Sequence, residues 1–154
     1  PQKDKRGRSK GEKKLVVIAV EKVKGDKIGR AYAEVIKQAS AACFAPFFEK
    51  HIDNDNARVV TDGWRGYQPL ESEYEISQKH SRGGKNFMGL HTVIMNLKGW
   101  LRGIHHHCSA RFINGYLDEF FFRFNRRNFL KSIWHKLIVR FMTNQPYSYI
   151  ANAT

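Results

Sequence analysis

Apolar residues come in short runs through the first half of the chain and at spacings of three and four through the second. Residues 15–20 (LVVIAV) form a β-branched run bounded by charges, the pattern of a strand buried on both faces. Lys24, Gly25 and Asp26 supply turn chemistry, and residues 28–36 alternate well enough to be the returning strand of a hairpin. Residues 40–51 (SAACFAPFFEKH) predict a helix with Ser40 as its N-cap, and Pro46 predicts a break or a late start within it. A second buried strand is expected over residues 57–61 (ARVVT), running straight into Asp62, Gly63 and Trp64. A turn or short helix over 64–70, a short edge strand near 74–77 and a flexible basic loop at 81–85 (SRGGK) follow.

From Asn86 onward the period is helical. Leu90, Val93, Ile94, Leu97, Leu101 and Ile104 make one apolar stripe of about four turns. Ser109 can cap a second helix carrying Phe112, Ile113, Tyr116, Phe120 and Phe124. A third helix near Asn128 would place Leu130, Trp134, Leu137, Ile138 and Phe141 inward. Strands first and helices after predict an α/β or α+β domain with a mixed sheet over residues 15–143. A flexible basic segment (1–14) precedes it and a weakly ordered tail (144–154) follows.

Charge sharpens this picture. The formal net charge is +13 over 154 residues. Residues 1–14 carry seven Lys/Arg against two acids, residues 15–78 eight against ten, and residues 79–154 twelve against two. A surface polarised in this way attracts polyanions by releasing their condensed counterions, so nucleic acid is the expected partner. No apolar run approaches the roughly 20 residues of a membrane span, and no secretory h-region is present. The two cysteines, Cys43 and Cys108, lie in predicted helices far apart in sequence, which points to a reduced, cytoplasmic protein.

Few residues suggest chemistry. Asp62 is expected at the carboxyl end of a central strand, where ligand sites of open α/β sheets gather, and a carboxylate there can hold Mg²⁺. The competing reading is an Asp that merely starts a turn before Gly63. His91, Met95, Lys98 and Arg102 share one helix face, placing an imidazole near one end and two phosphate-seeking cations beyond it; the alternative is a solvated face. His105, His106 and His107 diverge by about 100° each on a helix and cannot converge on one ion, so zinc is rejected. Glu119 and Arg123 stand four apart, the spacing of a surface ion pair. No P-loop, G-x-S-x-G or G-x-G-x-x-G motif is present.

Two segments carry a resemblance. RVVTDGWRGY (58–67) and HTVIMNLKGWLRGIHHHCSARFINGYLDEFFFRFNRR (91–127), the latter most specific over YLDEFFFRFNRR, resemble the integrase-type domain of DDE insertion-sequence transposases related to the Xanthomonas ISXO-type element. The resemblance runs from about Gly7 to Arg127. It implies an RNase H-like fold, a mixed five-stranded sheet flanked by helices. It also implies two divalent ions, Mg²⁺ or Mn²⁺, held by an Asp on the first strand, a second Asp and a residue on the following helix. By motif match Asp62 is the second Asp, and the helix position, commonly Glu, is His91, seven residues before Lys98. The first Asp would precede Pro1, so the first strand is expected to be missing, and Asp4 is a poor substitute. The implied activity is metal-dependent cleavage and transfer of DNA strands by a nucleoid-associated enzyme acting as a homo-oligomer on element ends and target. Lys98, Arg102, Arg123, Arg126 and Arg127 would track DNA. A catalytically inactive DNA-binding remnant is the alternative.

Overall fold

The computed structural model describes residues 14–25, 27–105 and 108–144; most of the basic segment, most of the tail, and His106 and His107 lie outside them. The hairpin forms as expected. Strand β1 (Leu15–Val23) pairs antiparallel with β2 (Lys27–Ile36) around a turn whose Gly25 has φ 79°. The register slips between Val20 and Lys22, and Glu21 there reaches across to accept a hydrogen bond from the Arg30 N–H (2.9 Å).

Each face of the hairpin packs on a different layer, which is why both faces of the sequence run are apolar. Helix α1 (Ala41–His51) lies against one face, burying Phe44, Phe47 and Phe48 with Val17, Leu70 and Tyr74. Ser40 occupies its N-cap position but caps through its carbonyl rather than its hydroxyl. Pro46 does not break the helix. It and Ala42, whose carbonyl loses its helical donor, are both exposed, so water can serve that carbonyl while the three phenylalanines hold the inner face.

The other face meets α2 (Met88–Ile104) and α3 (Ile113–Asn125), whose Val93, Leu97, Leu117, Phe120 and Phe121 enclose Ala31. Ser109 caps a single 3-10 turn ahead of α3 by accepting from the Arg111 N–H (3.3 Å). Between α1 and α2, β3 (Val59–Thr61) pairs in parallel with β4 (Ile76–Gln78), bridged by a 3-10 helix over Arg65–Ser72. The mixed α/β class holds, but the described strands form two separate two-stranded sheets rather than one.

One expectation fails. Helix α4 (Leu130–Thr143) forms, yet its apolar stripe does not face inward: Trp134 is 74% exposed and Phe141 88%, with Leu137 and Ile138 also exposed. The Leu130 side chain is outside the described set. Periodicity fixes which residues share a face, but burial also needs an opposing surface, and the hairpin's two faces are already covered by α1, α2 and α3. Cys43 and Cys108 are free thiols, and no described helix is long and apolar enough to cross a membrane.

At the end of α1, Glu34 of β2 accepts hydrogen bonds from Lys50 (2.6 Å) and His51 (3.2 Å). Burial works to raise the Glu34 carboxyl, but the hydrogen bonds and charges of Lys50 and His51 outweigh it and hold the group below its ordinary range. A carboxyl lowered in the folded state contributes stability above its unfolded value and loses it as pH falls through the folded one. Thermal melts should therefore show Tm falling as pH drops below about 4.5, and Glu34→Gln should flatten that slope. An unchanged slope in the variant would remove Glu34 from the acid response.

Candidate catalytic cleft and DNA contacts

Val17, Ile18 and Ala19 of β1, consecutive residues that point to alternate faces, line one cleft together, so the cleft runs along the strand edge that β2 does not occupy. Its opposite wall is β3, through Val59, Val60, Thr61 and Asp62, and α2 closes it with Leu90, His91 and Ile94. The volume is about 300 Å³. Asp62 and His91, far apart in sequence, thus line a single cleft.

Each is placed by its own local device. Asp62 leaves β3 into a loop that Trp64 staples down, its indole donating to the Ala39 carbonyl (3.0 Å). Gly66 permits this, because a side chain there would collide with the indole. Trp64→Phe should cost about 1 kcal/mol or less in urea denaturation, one partly exposed hydrogen bond; a loss of several kcal/mol would give Trp64 a larger part in the core. The His91 ring rests on Gly84, which is buried and has φ 88°. A β-carbon would strike the imidazole and strain the turn, so glycine is required there on two counts.

The Asp62 carboxylate is exposed and has no hydrogen-bond or ion-pair partner among the described residues, which leaves it available to a cation. Beside it, Thr61 Oγ1 is buried without a partner. Tyr67 lines the same cleft, stacked on Phe44 at 4.6 Å. Burial first, and then the charge of Asp62, push its phenol above the ordinary value. Sequence reasoning misses Tyr67, although it ends the TDGWRGY segment that carries Asp62. The carboxylate suits a hard cation that takes few protein ligands, with phosphate oxygens and water completing its shell, whereas the imidazole is a softer donor and suits such a cation less well. They fit part of such a site: no group of three His, Cys, Asp or Glu able to hold a metal occurs among the described residues.

The family model for the ISXO2-like transposase domain matches residues 1–125. The chain belongs to that transposase family. No curated protein and no solved structure matches the chain. The matched span of the transposase domain ends with α3 and leaves α4 outside it.

The five expected DNA contacts fall into different surroundings. Lys98 and Arg102 are exposed on α2 beyond His91, and neither lines the cleft. Arg123 is paired with Glu119 (2.8 Å) at the expected spacing. Arg127 turns inward and donates to the carbonyls of Ile28, Gly29 and Phe124. Arg126 stands elsewhere, its guanidinium 3.7 Å from the centre of the Phe122 ring. The YLDEFFFRFNRR segment thus does chiefly structural work, its Leu117, Phe120, Phe121 and Phe124 packing in the core.

Proposed function

We propose that this chain carries the catalytic domain, over residues 15–143, of an RNase H-like transposase that cuts and joins DNA strands at insertion-sequence ends. The supporting observation is the cleft between β1 and β3, which the strand-end Asp62 and the helix residue His91 both line. Membership of the family supplies the reaction class.

Asp62 and His91 would hold a divalent cation, Mg²⁺ or Mn²⁺, one of the two ions that the family resemblance implies. A bound cation polarises the phosphoryl oxygens and lowers the pKa of a coordinated water. The protein's own part would be to hold that cation through Asp62 and His91, where it could supply in-line displacement by water or a 3′-hydroxyl, with the neighbouring Tyr67 narrowing the cleft beside them. Lys98, Arg102 and Arg123 would contact backbone phosphates, and a cytoplasmic homo-oligomer acting on nucleoid DNA would hold two element ends together. Nicking and strand transfer on element-end DNA, with Mg²⁺ or Mn²⁺ and with chelator, test this reading in the full-length protein. Metal-dependent products support it.

The second reading, a DNA-binding remnant without catalysis, is favoured by the imidazole of His91, a weaker donor for a hard cation than the carboxylate that the resemblance commonly places there. DNA binding with no products under either metal would establish it.

A further inference from the structure

A second groove, of about 650 Å³, shares no lining residue with the cleft. Arg30, Tyr32, Ala33 and Glu34 of β2 line it, so it follows the outer edge of the hairpin, the edge opposite the one bordering Asp62. Its other walls are the end of α1, one side of α3, and α4. Five of its residues are Lys or Arg, and only Glu34 and Asp118 are acidic. Both acids act on Lys50: Glu34 pairs with it directly, and the charge of Asp118 reinforces its protonated form. Arg30, Arg126, Lys136 and Arg140 are left without a carboxylate partner among the described residues.

Their geometry brings like charges together. The Arg126 and Arg140 guanidiniums lie 3.7 and 5.2 Å from the centre of the same Phe122 ring. Burial first, and then the charges of Arg140 and Arg30, lower the pKa of Arg126, the mark of cations crowded without compensation. The ring attracts each guanidinium, which holds the fork side chains in place but does not neutralise them. A divergent, solvated surface would spread these charges; this groove gathers them and leaves room between them.

We propose that this groove binds the phosphodiester backbone of DNA through Arg30, Arg126 and Arg140, with Lys136 beside them, as a contact separate from the Asp62 cleft. Planar guanidiniums match phosphate geometry bidentately, and a groove of this volume with several unpaired cations suits a chain of phosphates better than one small anion. Choosing DNA over another polyanion rests on the transposase reading. Two of the four cations, Lys136 and Arg140, come from α4, outside the span that the family model matches.

The test is fluorescence anisotropy of a labelled DNA duplex of arbitrary sequence, in chelator, with the full chain and its Arg126→Gln/Arg140→Gln variant. Binding without divalent cation keeps the result independent of cleavage, so failure of the catalytic reading leaves this measurement intact. The double variant should bind at least about tenfold more weakly at about 50 mM salt, and the slope of log affinity against log salt should shrink by roughly 2, one for each phosphate no longer neutralised. Arg140→Gln alone, on an exposed helix that the core does not depend on, should show about half that change in slope and guards against misfolding of the double variant. Unchanged affinity and slope in both variants would overturn the proposal. So would displacement of DNA by inorganic phosphate at equal phosphate concentration, which would make the groove a small-anion site.

Discussion

Replacing Asp62 by Ala is expected to reduce metal-dependent strand cleavage by roughly a thousandfold or more, since losing one of few ligands removes several kcal/mol of charge stabilisation from the transition state. DNA affinity measured in chelator should stay within about twofold of the parent, and the melting temperature should barely move. Asp62 is exposed and makes no hydrogen bond or ion pair among the described residues that its loss would break. Cleavage by the variant at the parental rate would remove Asp62 from the site. His91 divides the possibilities further. If the imidazole serves the cation, His91→Glu supplies a harder ligand and should lower the Mg²⁺ concentration needed for half-maximal cleavage. If it does not, the same change leaves the metal dependence where it was.

The largest stability effect is expected at Asn125. Its carboxamide accepts from the Ala31 N–H at 2.8 Å and donates to the Ala31 carbonyl at 2.9 Å, the two bonds a neighbouring strand would have made with that residue. Arg127 takes the carbonyls of Ile28 and Gly29 just beside it. The end of α3 and the turn after it therefore seal this stretch of the β2 edge, which would otherwise present unpaired backbone groups to other chains. Asn125→Leu keeps the side-chain size and orphans both groups of Ala31, which is fully buried. The cost should be about 2–4 kcal/mol, or roughly 5–15 °C in Tm for a domain of this length. Light scattering on heating should rise earlier as the edge is bared. A Tm within about 1 °C of the parent would show that water replaces the carboxamide without loss.

What the sequence made legible was what is local. The hairpin, α2 and α3 follow from short-range periodicity and turn chemistry, and Asp62 stands at a strand end as the run before it required. What was hidden depended on partners remote in sequence. The arginines at 123, 126 and 127 look alike in the chain, but Glu119 four residues away takes the first, the β2 edge takes the third, and only the second stands in a groove with other cations. The outward-facing stripe of α4 has the same origin: it is well formed, but no surface was left to receive it. Pro46 misleads in the other direction, because helix propensity weighs less than three buried phenylalanines.

The clamp at Asn125 has a consequence for the order of events at the ribosome. The hairpin is local and can close within microseconds of its emergence, but the side chain that covers the Ala31 backbone lies 94 residues further along. At ordinary elongation rates of about 5–20 residues per second, that edge waits roughly 5–20 s for its cover. Through that interval the nascent chain displays a formed but unsealed strand, so the yield of soluble protein should respond to translation speed and to chaperone supply more than the finished fold would suggest.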